Sequence, residues 1–278
     1  MTETTTGAGG GSVGRSAGIV DHVVDGLAVY RHQAEAPDAP RIVLVHGSMD
    51  RAASFLKVTR RLPDLEIVRY DRRGYGRSVG AGTCATIDDQ VDDLLAVMAA
   101  EPAVVVAHSL GGVIALAAAV RRPDLIPSVA AFESPMAWLD WWPSNSAGST
   151  AVRISHDSGP AAAAERFMRG MVGDQVWERL PERTRRERRS EGPALLADLA
   201  TIRGEAPYEP TELPVPVLAG HGTESKPYHQ EAARLLAELA PHGELVVVEG
   251  SGHACQSSHP AEFAAFVRRA VDRAVEQR

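Results

Sequence analysis

Short, mostly apolar runs recur along the chain at residues 42–45, 66–70, 103–106, 129–132, 215–219 and 244–248, with helix-favouring segments between most of them. Apolar runs of this length without strict alternation suit strands buried on both faces, and the intervening helices would supply the two covering layers. Ahead of them, residues 19–24 and 27–31 flank Asp25-Gly26, a dipeptide suited to a two-residue hairpin because both central positions need positive φ. The pattern therefore predicts an α/β fold of about eight strands, opening with an antiparallel pair and continuing as a mostly parallel sheet with helices on both faces. One helix is sharply marked. Thr86 and Asp89 have capping-box spacing, and Ile87, Val91, Leu94, Leu95 and Met98 make an apolar stripe behind them.

Between residues 135 and 207 the alternation stops. This stretch is helical in composition, lacks a strand signal, and carries Trp138, Trp141 and Trp142 close together, with Trp177 further on. It reads as a helical cap inserted after the sixth strand, which divides the chain into a core of residues 19–134 and 208–278 and a cap of residues 135–207. The first 18 residues are rich in Thr, Gly and Ser with little to bury, and are expected to form a disordered leader.

The 278 residues, 44% hydrophobic and 23% charged, suit one large soluble domain with an inserted subdomain. A formal charge of −7 without a basic face argues against nucleic acid or an anionic membrane as partner, and no apolar run reaches membrane-spanning length. The Arg183 to Arg189 run is interrupted by Glu187 and has Glu182 one turn from Arg186, so it reads as a solvated helix face. Cys84 and Cys255 could form one bridge at most; with no secretory segment at the polar N-terminus, a reducing cytoplasm is expected. There is no CxxC or HExxH pairing, so neither a metal nor a cofactor is expected, and the partner in view is a small-molecule substrate of unspecified oligomeric context.

The chemistry enters at Ala107-His108-Ser109-Leu110-Gly111, which sets a serine between β-formers and helix-formers. Such a strand-to-helix turn exposes a hydroxyl in front of a helix N-terminus, provided small neighbours let the backbones cross, and Gly111 and Gly112 supply them. Three further motifs accompany it: His46-Gly47-Ser48-Met49 after the third strand, the Tyr70 to Ser78 loop (YDRRGYGRS) after the fourth, and Gly250-Ser251-Gly252-His253 after the last. In order and spacing this set resembles the α/β-hydrolase superfamily, in particular its cofactor-free serine hydrolases of actinobacterial type, over nearly the whole chain from Val20 onward. Ala107 departs modestly from the glycine usual in the motif.

The resemblance implies that Ser109 is a nucleophile, that the backbone N–H of Leu110 and one from Ser48 or Met49 form an oxyanion hole, and that His253 is the general base. His259 is a spare candidate base, although its place before Pro260 favours a role in the turn. His46 and His108 read as packed, hydrogen-bonded neighbours, and Asp71 and Arg73 as loop ties. In much of the family the acid follows the seventh strand, where this chain has Glu224 but no aspartate. Some hydrolases of the fold, haloalkane dehalogenases among them, carry it after the sixth, where Glu133 stands. Glu133 is favoured, because a carboxylate that ends a strand is held more firmly than one in a glycine-rich loop. The expected activity is that of a serine hydrolase on an ester-type carbonyl of a small, largely apolar substrate, by a Ser109-His253-Glu133 triad and an acyl-enzyme. Carbon–carbon, lactone or thioester cleavage would use the same residues, and a ligand-binding protein without turnover is the alternative of another class. Dehalogenase chemistry would need a carboxylate where Ser109 stands. Trp138, Trp141 and Trp142 are candidates either to line the pocket or to pack the cap onto the core.

Overall fold

In a computed structural model that describes residues 21–276, Asp25 and Gly26 both take positive φ, 48° and 84°, the mirror-image turn whose twist suits a hairpin. The leader expected at residues 1–18 lies outside the described residues. The hairpin joins β1 (His22–Val24) to β2 (Leu27–His32), with Val24 opposite Leu27. The sheet continues with β3 (Arg41–Val45), β4 (Glu66–Tyr70), β5 (Val104–His108), β6 (Val129–Phe132), β7 (Val217–Gly222) and β8 (Gly243–Val248). Its eight strands lie in the order β1-β2-β4-β3-β5-β6-β7-β8. Only β1 with β2 and β2 with β4 pair antiparallel; every other neighbouring pair is parallel.

Ten α-helices accompany the strands among the described residues: α1 (Leu56–Thr59), α2 (Ile87–Met98), α3 (Leu110–Arg121), α4 (Ala147–Val172), α5 (Asp174–Arg179), α6 (Glu182–Ser190), α7 (Gly192–Thr201), α8 (Pro227–Leu239), α9 (Cys255–Ser258) and α10 (Pro260–Glu276). The period of two along the central strands divides their side chains between two cores. Val43, Val105, Ala131 and Val217 pack with α2, α3 and α8 on one face. Leu44, Val106, Ala130 and Leu218 pack with α1 and α10 on the other. Burial on both sides is why these strands read as continuous apolar runs. At the start of α2 the expected reciprocal cap is formed, with Asp89 N donating to Thr86 Oγ1 (3.1 Å) and Thr86 N to Asp89 Oδ2 (2.9 Å). Cys84 and Cys255 are both buried free thiols.

Helices α4 to α7 lie between β6 and β7, and the first of them begins only at Ala147; residues 135–146, with their three tryptophans, are turns. Helix α4 is broken where Gly159 takes φ 77° ahead of Pro160. Trp177 is fully buried with Met168, Leu195 and Leu199, in a cluster that also takes in Met49 and Tyr75 from the sheet domain. A polar junction stands beside it. The carboxylate of Asp198 on α7, 4% exposed, accepts from Arg72 Nη2 (2.6 Å), Tyr75 OH (2.7 Å), Ser48 Oγ (2.7 Å) and Gln90 Nε2 (3.2 Å). Burying both ions is tolerable because nearly every oxygen lone pair finds a donor. Along the α6 face no residue is buried, yet Arg188 is more than a solvated charge, since it donates to Met49 O (3.1 Å) and Glu191 Oε2 (3.2 Å). No described helix is long and apolar enough to cross a membrane.

Candidate active site

Strands β5 and β6 pair with His108 opposite Phe132, so the next residues, Ser109 and Glu133, leave the carboxyl edge of the sheet side by side. Ser109 caps α3 with φ 54° and ψ −129°, a conformation rare for a residue with a side chain, and its N–H donates to Phe132 O (2.9 Å). The turn depends on close backbone approach. A Cβ on Gly111 would lie 2.4 Å from Val45 O, and one on Gly47 would lie 2.7 Å from Ser109 Cβ. The first glycine lets α3 cross β3, and the second lets the loop after β3 reach the serine.

Glu133 is fully buried with φ 51°. Its Oε2 accepts from His253 Nδ1 at 2.6 Å, and its Oε1 accepts from the Ser225 hydroxyl and from Gly222 N (3.3 Å). Burial pushes this carboxyl up, but the hydrogen bond and charge of His253, with His229 and Ser225 adding, outweigh it and hold the pKa at about 2. Because a carboxylate can only accept, His253 carries a proton on Nδ1, which leaves Nε2 as the nitrogen turned away from Glu133. Glu224 is exposed; its backbone N–H donates to Ser251 O (2.9 Å), and its carboxylate is not the one His253 meets.

Two further imidazoles flank His253. His108 lies 4.5 Å away between centroids and donates Nε2–H to His253 O at 2.7 Å, while His229 of α8 stacks on it at 4.6 Å and 27°. Burial first, and then the charge of His253, push both flanking rings down to about 3, so both are neutral. His46 is buried and also held neutral. It accepts from Arg72 N (2.8 Å) on Nε2 and donates Nδ1–H to Gly47 O (2.7 Å), fixing the loop beneath Ser48. Asp71 ties loops as expected, accepting from Ala52 N (2.9 Å) and Arg77 N (2.9 Å). His259 bonds its neighbour Ser258 (2.9 Å) at the start of α10.

Ser109, His253, Leu110 and Ser48 all line one cleft under the inserted helices. Met49 does not; its side chain turns into the cluster around Trp177. Of the three tryptophans only Trp142 lines this cleft. Trp138 packs edge-on against Tyr208, and Trp141 is 41% exposed, so neither is a pocket wall. His229 was not signalled by the sequence, because a histidine near the start of an amphipathic helix gives no hint of what faces it. Glu133, His229 and His253 place ligand atoms within 4.8 Å of one another, a donor set that could grip a divalent ion of the zinc type. Two of these residues already meet in the Glu133–His253 hydrogen bond, which a metal would have to displace.

Residues 42–266 match the alpha/beta hydrolase family. The chain is 34% identical over 111 residues to Uncharacterized hydrolase YugF of Bacillus subtilis, covering 38% of this chain and 41% of that protein. It is 32% identical over 109 residues to Lipase LipV of Mycobacterium tuberculosis, with the same 38% and 41% covered. The matched stretch thus spans about two-fifths of these curated relatives. In fold the chain is similar to the enol-lactonase from Burkholderia xenovorans LB400, with a TM-score of 0.70 at 22% identity over 90% of this chain and 98% of that one.

Proposed function

Since the chain belongs to the alpha/beta hydrolase family, we propose that it is a serine hydrolase cleaving an ester-type carbonyl of a small, largely apolar substrate. The observation that carries this reading is the 2.6 Å contact of His253 Nδ1 with buried Glu133, one strand away from the strained Ser109. Glu133 fixes the tautomer, so the Nε2 lone pair takes the Ser109 proton as Oγ attacks the carbonyl carbon. The oxyanion that forms is met by the N–H groups of Leu110 and Ser48, with the N-terminus of α3 behind the serine adding a partial positive charge. His253 then gives its proton to the leaving alcohol, which departs and leaves an ester on Ser109. Water, deprotonated by the same Nε2, attacks that acyl-enzyme; the acid leaves and Oγ recovers its proton.

The apolar walls Trp142, Phe167, Met171 and Leu199 suit an acyl chain or ring. A lactone, a thioester or a diketone could be cleaved by the same groups, and the acyl fit would decide among them. A fluorophosphonate probe tests the reading: it should label the wild type stoichiometrically at Ser109 and leave Ser109→Ala unlabelled. Absence of labelling, together with no hydrolysis of p-nitrophenyl esters, would instead leave a ligand-binding protein on this scaffold.

A further inference from the structure

Among the residues lining the cleft, one side chain carries a permanent charge, Arg203. It stands just beyond the C-terminal end of α7, facing a cleft whose other walls are largely apolar. Its Nη2 donates to Ser149 Oγ (2.8 Å), and that oxygen shares a further hydrogen bond (2.9 Å) with Ser146 Oγ, which also lines the cleft. Several arginines of the insertion are matched with acids, Arg169 with Glu165, Arg185 with Glu178 and Arg189 with Glu165, although none of these lines the cleft. Arg203 has no such match among the described residues. Partial loss of water lowers its pKa, and no neighbouring acid acts to raise it. Arg203 is exposed, so its guanidinium stands at the open side of the cleft, beside apolar walls and without a neighbouring acid, where it is free to receive an anion.

The surroundings agree in sign. A second opening shares Tyr228, His229 and His253 with the cleft, and its rim carries Arg166 and Lys226 against the single acid Glu224. On a chain of formal charge −7 this is a local reversal, which would draw an anion toward the cleft. The backbone that carries Arg203 follows directly on α7, which Asp198 ties to Ser48 and Arg72.

We propose that the substrate carries a carboxylate remote from its scissile carbonyl, and that Arg203, steadied by Ser149, binds that carboxylate. A carboxylate is preferred to a phosphate because one planar guanidinium matches it in charge and in fork geometry. The choice of cleaved bond rests on the serine hydrolase reading; the carboxylate site rests on the cleft and its lone cation.

The decisive experiment needs no turnover. On a Ser109→Ala background, calorimetry should find phenylbutyrate bound about 10- to 100-fold more tightly than phenylbutanol. Arg203→Met should bring that ratio close to one, Arg203→Lys should keep part of it, and Ser149→Ala, which leaves the charge but frees it, should reduce it by a few-fold. Equal binding of the two ligands, no measurable binding of phenylbutyrate, or a ratio untouched by Arg203→Met would each overturn the inference. A kinetic arm separates it from the hydrolase reading. The wild type should hydrolyse the p-nitrophenyl monoester of adipate with a higher kcat/KM than p-nitrophenyl hexanoate, and Arg203→Met should collapse that ratio. Hydrolysis of both esters without a carboxylate preference sinks only the Arg203 site. Selective phenylbutyrate binding without labelling of Ser109 sinks only the hydrolase reading.

Discussion

Ser109 and Glu133 leave adjacent strands one residue past the paired His108 and Phe132, and both do so with left-handed backbones, at φ 54° and 51°. Each departure costs on the order of 1–3 kcal/mol that the surrounding structure must offset. Here the offsets are visible. Ser109 N and Glu133 N each donate to a neighbouring strand, to Phe132 O (2.9 Å) and Gly220 O (2.8 Å), so both sharp turns are anchored by the sheet.

Ser109→Ala should abolish turnover by several orders of magnitude while leaving the thermal midpoint near that of the wild type. Steady-state kinetics on the best p-nitrophenyl ester, beside a melting curve, checks both halves. Near wild-type hydrolysis by the alanine variant would remove the serine from the mechanism.

Glu133→Gln should lower kcat by roughly 10³- to 10⁴-fold, because an amide next to Nδ1 can stabilise the wrong tautomer. Glu224→Gln, at an exposed position, should change kcat by less than about threefold. Comparable losses in the two variants would reopen the choice of acid.

The acid limb of log kcat/KM should have unit slope, reporting a single essential ionisation. Glu133, at about 2, stays ionised, and His108 and His229, at about 3, stay neutral while that limb develops. A slope of two would mean that a second imbedded imidazole titrates with the base. His253→Ala should remove activity, and His259→Ala should retain both the activity and the limb.

Stability should fall with pH even before carboxylates protonate. His108, His229 and His46 have folded pKa values below the ordinary 6.5, so the unfolded chain takes up protons that the folded one refuses. Their penalty is absent above that value and grows as pH falls from it toward about 3 for His108 and His229. Glu133 acts in the same direction lower down, its contribution being lost between 4.5 and about 2. Urea midpoints measured across this range should show His229→Gln with a slope shallower by up to about 1.4 kcal/mol per pH unit. Parallel slopes would place that ring in water.

Asp198→Ala should destabilise by roughly 3–5 kcal/mol, since it strands the 2%-exposed Arg72 without its counter-ion. Pairing it with Arg72→Met should recover a large part of the loss, which denaturation of the four proteins in a double-variant cycle would measure.

Most of the sheet was legible because its central strands are buried on both faces and carry little else but apolar side chains. The hairpin and the α2 cap were legible because Asp25-Gly26 and Thr86 with Asp89 act locally. Strand ends were less so: β7 runs on through His221 to Gly222, polar or featureless residues that pair only because β8 lies beside them. The tryptophan cluster gave an ambiguous signal, as burial and pocket-lining ask for the same side chain, and only Trp142 lines the cleft. Asp198 and Arg203 escaped because their partners are distant in sequence. Asp198 did leave one trace, a charge set on the apolar stripe of Ala194, Leu195 and Leu199, where an unmatched carboxylate would be costly.

The loop after β7, where much of this fold's acids are rooted, is not idle in this chain: Ser225 and Gly222 clasp the carboxylate that Glu133 sends across from β6. Two strand ends therefore converge on one point beside His253 Nδ1, so the acid of the proposed triad has two possible addresses for a single destination. Moving it would need only an exchange of roles, the root of the carboxylate shifting by one strand while the imidazole keeps its orientation. What such a site imposes on the sequence is a negative charge at a place in space, so aligning chains by the loop after β7 alone would select the exposed Glu224 instead of the buried Glu133.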